Sequence, residues 1–84
     1  MAAIEISALR KKIGHRIKVR RVELDLMQRE LGERIGLPQS QISEWEIGRR
    51  AMRIEDAMRI AAALETTVGY LVGEVDRGPM PPLM

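Results

Sequence analysis

Cysteine is absent from this 84-residue chain. No disulfide, thiolate metal site or cysteine nucleophile can be built from it. Phe is also missing, and Trp and Tyr occur once each, so any core has to be made of aliphatic side chains and Met. No apolar run approaches the roughly 18 residues that a membrane span needs. The N-terminus, MAAIEISALRKK, lacks an apolar centre followed by a cleavage site, so no secretory signal is expected and a cytoplasmic chain is. His15 is the only histidine. With no partner ligand near it, a surface position and no bound metal are expected. Together with the lack of a phosphate-cradling glycine loop or of paired carboxylates in a plausible cleft, these gaps leave no group to do chemistry. A non-enzyme without a cofactor is expected.

What is present is helical. Leu, Ile, Ala, Met, Glu and Arg dominate and are good helix formers, whereas no segment alternates as a strand does. The chain is long enough for one small domain, burying about 60–65% of the surface its unfolded form exposes. The net charge of +2 hides an asymmetry. Arg10, Lys11, Lys12, Arg16, Lys18, Arg20 and Arg21 fall within residues 10–21 without an intervening acid, and Arg49, Arg50 and Arg53 form a second group. Such clustering argues for a polyanionic partner, although a solvated cationic helix face would look the same.

Apolar spacing divides the chain into five helices. The first is expected from Ser7, as N-cap, to Leu24, with Ile6, Leu9, Ile13, Ile17 and Leu24 on its inner stripe. Asp25 ends it, and Leu26 turns inward. A second runs from Gln28 to Arg34 with Leu31 and Ile35 as its apolar edge. Gly32 inside it costs about 0.5–1 kcal/mol against Ala, so a close crossing is expected there. Gly36 permits a tight turn. A third runs from Pro38 or Gln39 to Ile47, with Pro38 suited to its first turn; Ile42 and Trp45 face inward, and Gly48 follows its end. A fourth runs from Ile54 to Leu64 on a stripe of Ile54, Ala57, Met58, Ala61 and Leu64, with Met52 and Met58 as gap fillers. Thr67 caps a short fifth through Val68, Tyr70, Leu71 and Val72, stopped by Gly73. Residues 1–73 are thus one domain and 74–84, EVDRGPMPPLM, a flexible proline-rich tail.

The segment Gln28–Arg50, QRELGERIGLPQSQISEWEIGRR, carries the most information. Two short helices across a glycine turn form a helix-turn-helix unit, whose second helix can enter the major groove of DNA. The spacing of Ile17, Arg21, Leu26, Gln28, Leu31, Gly36, Ile42, Ser43, Glu46, Gly48, Arg49, Arg50, Ile60, Ala61, Leu64, Tyr70 and Leu71 resembles the Cro/cI/Xre family of phage-repressor-like helix-turn-helix proteins. The likeness covers Ile13 to Gly73. It implies an all-α, five-helix lambda-repressor-like fold. The chain departs from the family at Gly32, where Ala is usual, at Pro38, where Ser or Thr caps the reading helix, and at Asp25 and Glu65, where Gly is common.

Gln39, Ser40, Ser43 and Glu44 are short polar side chains able to reach base edges. Gln pairs with adenine N6 and N7, Ser with most bases, and Glu accepts from cytosine N4. The resemblance implies base contact for Gln39, Ser40 and Glu44, and in some members for Gln41. A carboxylate at Glu44 is repelled by phosphates unless a cytosine amine is there. Gln28 is implied as a phosphate contact aided by the helix N-terminus. Arg49, Arg50 and Arg53 follow the reading helix and are placed to run along the phosphates. Each of these residues has a plain alternative as an ordinary exposed polar or charged side chain. Arg21 and Glu46 match the family's internal salt bridge. Trp45, three residues from Ile42, is assigned to the core rather than to a base stack.

The function expected is a DNA-binding transcriptional regulator, a repressor, acting on double-stranded DNA as a homodimer at a two-fold operator. An alternative is an antitoxin or phage module that docks a protein partner through the tail. A cationic helix at residues 9–24 lying on a membrane or RNA is disfavoured, because its apolar stripe is needed by the core.

Overall fold

The computed structural model describes residues 5–74. Among them it has five helices, α1 (Ile6–Glu23), α2 (Gln28–Ile35), α3 (Gln39–Glu46), α4 (Ile54–Ala63) and α5 (Val68–Val72), and no strand. Of the flexible proline-rich tail expected at 74–84, positions 75–84 lie outside the described residues, and so does any partner contact assigned to them. Among the described residues no helix is long and apolar enough to cross a membrane.

Every helix delivers an aliphatic side chain to one core. Ile17 of α1, Leu31 of α2, Ile42 of α3, Ile60 of α4 and Leu71 of α5 are fully buried, as is Leu64 just past α4. Each contributes about 1.5–3 kcal/mol by leaving water. Two expected stripes are only partly used. Ile6 and Leu9 are 61% and 43% exposed; the α1 side chains that reach the core are Ile13 and Ile17. On α4 the buried stripe is Ala57, Ile60, Ala61 and Leu64, while Ile54 and Met58 stand 60% and 59% exposed. The small side chains of Ala57 and Ala61 let α4 close on the core with Ile60 at the centre, which turns Ile54 and Met58 to the edge. Met58 is therefore not a gap filler; Met52 does pack against the core.

The helix ends show how local chemistry sets these boundaries. Glu5, not Ser7, occupies the cap of α1, and the Ser7 hydroxyl donates to the Glu5 carboxylate at 3.1 Å. At α2, Glu30 reaches back to accept from the Met27 amide at 2.9 Å, satisfying a helix-start donor. Pro38 sits at the cap of α3 rather than in its first turn, and no side chain caps that helix. Thr67 accepts from the Tyr70 amide at 3.1 Å and caps α5. Asp25 and Glu65 close their helices with left-handed φ values of 58° and 55°. That conformation costs a non-glycine residue about 1–2 kcal/mol, part of which is offset because glycine loses more freedom on folding. Glu65→Gly is accordingly expected to raise stability by about 0.5–1 kcal/mol; an unchanged or lowered denaturation midpoint would contradict this.

Much of the α1 basic cluster serves the fold rather than a polyanion. Arg16 donates to the Tyr70 carbonyl at 3.0 Å and lies 5.0 Å from the centre of its ring. Arg20 donates through Nε to the Leu64 carbonyl at 2.8 Å. These guanidiniums add donors to carbonyls at the ends of α4 and α5, that of Tyr70 also accepting from the Gly73 amide at 3.2 Å. Arg59 of α4 plays the same part at the end of α2, donating to the Ile35 carbonyl.

Candidate nucleic-acid interface

Three close backbone approaches fix α3. Gly14 of α1 lies against its end: a Cβ there would stand 2.2 Å from the Trp45 carbonyl oxygen and 2.5 Å from that of Glu46. Gly32 of α2 lies under the turn, where a Cβ would be 2.4 Å from the Leu37 carbonyl oxygen. The close approach expected at Gly32 is thus made by the turn itself. Gly48, with φ 78°, sends the chain back past α1, where a Cβ would meet the Lys11 backbone at 2.8 Å. The Trp45 indole is 2% exposed and donates to the Ala51 carbonyl at 3.2 Å, tying the returning segment to the helix.

With Ile42, Trp45 and Glu46 buried, the opposite side of α3 faces solvent. Gln39 and Ser40 are exposed; Gln41, Ser43 and Glu44 are half-buried. At 3.6 residues per turn, Ser40, Ser43, Glu44 and Ile47 share the outer strip, while Gln39 and Gln41 flank it. Ile47, at the end of α3, is 52% exposed.

A chain of side-chain bonds links this face to the core. Arg21 donates to Glu46 at 2.6 Å through Nε and 3.1 Å through Nη2, a two-point ion pair, and to the Leu26 carbonyl at 2.6 Å through Nη1. Both side chains are largely buried, at 11% and 3% relative exposure. The Glu46 carboxylate also accepts from the Gln28 amide at 3.0 Å, and the Gln28 carbonyl accepts from the Gln39 amide at 3.4 Å. Gln28, Gln39, Arg21 and Glu46 are therefore brought together. Arg49 and Arg53 are exposed in the following segment, and the Arg49 amide donates to the Glu44 carbonyl at 2.9 Å. Arg50 is exposed as well, with its Nε 3.0 Å from the Glu44 carboxylate.

Some features escape sequence reasoning. Arg29 is exposed and borders a depression shared with Met27, Gln28 and Gln39; its place in the first turn of α2, directly after Gln28, was the available signal. Ile47, at the end of the expected third helix, is exposed on the outer strip with Ser40, Ser43 and Glu44. Gly14 gives no signal in a helix whose partner is unknown. His15 is exposed, and no group of residues able to hold a metal ion occurs among the described residues.

Two short helices across a tight turn, the second presented outward on a core of five, define a helix-turn-helix domain. A helix-turn-helix family model (HTH_3) matches residues 17–71, and the chain belongs to that family, of the Cro/cI/Xre type. An uncharacterized transcriptional regulator in the ATPase CF(0) region of Rhodospirillum rubrum is 35% identical over 66 residues; the alignment covers 79% of this chain and 61% of that relative's length. Among solved structures, the clp gene regulator ClgR from Corynebacterium glutamicum is similar with a TM-score of 0.75 and 27% identity, over 79% of this chain and 85% of that one. The P22 c2 repressor, solved in complex with a synthetic operator, is similar with a TM-score of 0.68 and 32% identity, over 71% of this chain and 91% of that one. The fold is the lambda-repressor-like arrangement of such domains.

Proposed function

We propose that this chain is a DNA-binding transcriptional regulator that inserts α3 into the major groove of a two-fold operator as a homodimer and acts as a repressor. The observation that carries the reading is the polar outer face of α3, held rigid by a buried inner face. Within it, Gln39, Ser40, Ser43 and Glu44 contact base edges, with Gln41 at the margin. Gln28 at the start of α2 and the exposed Arg49, Arg50, Arg53 and Arg29 contact phosphates. The likeness to a repressor solved with its operator supports the same use of this face. Pairing follows from how little one helix can read: two half-sites a helical turn apart supply the usable specificity.

The test is selection of bound duplexes from a random pool at two salt concentrations, followed by titration of the recovered sequence. A palindrome with half-sites about 10 base pairs apart is expected. Gln39→Ala should cost about 1–3 kcal/mol and relax preference at one position per half-site. A pool that shows no enrichment over bulk DNA would reject the reading.

A further inference from the structure

Arg50 stands two residues beyond Gly48, where the chain reverses, and its head is directed back onto α3. Its Nε lies 3.0 Å from the Glu44 carboxylate. The reversal is built in: Gly48 has φ 78° and no room for a Cβ against Lys11, the Arg49 amide donates to the Glu44 carbonyl at 2.9 Å, and the Trp45 indole holds the Ala51 carbonyl at 3.2 Å. Arg50 borders a groove formed with Leu9, Ile13, Trp45 and Met52. Glu44 is half-buried and on the outer strip of the helix.

We propose that Arg50 is the positioning residue for Glu44, and that the pair rather than Glu44 alone sets which base is read beside Ser40. This rests on the groove-inserted α3 proposed above. An unpaired carboxylate entering a major groove meets the negative potential of two phosphate strands. A guanidinium beside it cancels that charge and restricts its rotamers, leaving a carboxylate oxygen to accept from a cytosine N4 amine. In solvent such an exposed pair contributes little to stability, so its worth is realised only against DNA. The two Nη groups of Arg50 remain the ends that can reach a phosphate, so one side chain neutralises the reader and anchors the strand.

The experiment uses the full chain and its selected operator, with the C·G pair opposite Glu44 located by loss of preference in Glu44→Gln. Affinity for the operator and for the version with that pair changed is measured for wild type, Arg50→Ala, Arg50→Lys, Glu44→Gln and Arg50→Ala/Glu44→Gln. Wild type should discriminate about ten-fold at that pair. Arg50→Ala should reduce this to about two-fold while other positions keep their preference. Arg50→Lys, which retains charge without the planar fork, should fall between. The double variant should bind the altered site more tightly than Arg50→Ala, because the uncompensated carboxylate is gone. If Arg50→Ala weakens all sequences by one factor and the double variant is additive, Arg50 is a plain phosphate contact and the inference fails while α3 remains the reader. If Glu44→Gln alters no position, the inference likewise fails, with Gln39 and Ser40 left as readers. Absence of any selected motif rejects both.

Discussion

Replacing Arg21 with alanine is expected to lower the free energy of unfolding by about 3–5 kcal/mol. The reason is the carboxylate left behind. Glu46 has 3% side-chain exposure and takes both donors of the pair from Arg21, at 2.6 and 3.1 Å. Without Arg21 its remaining bond is to the Gln28 amide at 3.0 Å, which cannot offset a buried charge. The Leu26 carbonyl loses its donor as well. Small domains hold about 5–15 kcal/mol in all, so the loss is a large part of the total. Urea denaturation followed by circular dichroism measures it. Replacing both partners, Arg21→Met with Glu46→Leu, should recover much of the loss, because no unpaired charge remains. A single-variant cost under about 1 kcal/mol, the range of exposed pairs, would show that water reaches Glu46 and that the pair is not structural.

The second large effect is expected at Gly14. Gly14→Val should cost about 3 kcal/mol, the upper end for overpacking. A Cβ there would lie 2.2 Å from the Trp45 oxygen, 2.5 Å from the Glu46 oxygen and 2.7 Å from the Glu46 carbonyl carbon. All three are backbone atoms, so no rotamer change relieves the clash; α3 has to move. Gly14→Ala regains about 0.5–1 kcal/mol of helix propensity and should fall between Val and wild type. His15→Ala, at the exposed neighbour, serves as a control and should lie within about 0.5 kcal/mol of wild type. Thermal melts rank the series. Parity of Gly14→Val with wild type would mean that α1 and α3 do not approach this closely. Because the displaced helix is the proposed reader, the folded fraction of Gly14→Val should also lose DNA affinity.

The sequence predicts the five helices and the pairing of Arg21 with Glu46 because these depend on signals within one helix or on a pattern shared with a known family. Apolar residues at helical spacing locate α2 and α3, and Gly36 and Gly48 mark their ends. What it does not predict depends on which helix meets which. Ile54 and Met58 fit an apolar stripe as well as Ile60 does until Ala57 and Ala61 decide the rotation of α4. Arg16 and Arg20 cannot be told from DNA-directed cations until the carbonyls of Tyr70 and Leu64 arrive beside them. The contact of Arg50 with Glu44 depends on the turn at Gly48 and is invisible in a linear pattern. Ser7 fits a capping preference, but the cap falls two residues earlier, at Glu5, whose backbone is extended.

The bonded path from Glu46 through Gln28 to Gln39 has a consequence for how such a regulator can diversify. Ser40 and Ser43 have no part in the apolar core, so if α3 reads DNA as proposed, exchanging them would re-address the protein while its scaffold stays intact. Gln39 does not share that freedom, since its amide hangs on Gln28, and Gln28 on the carboxylate that anchors α3. Among sister proteins with different operators, variation should therefore gather at 40 and 43, with 39 changing mainly when 28 changes too and 44 when 50 does.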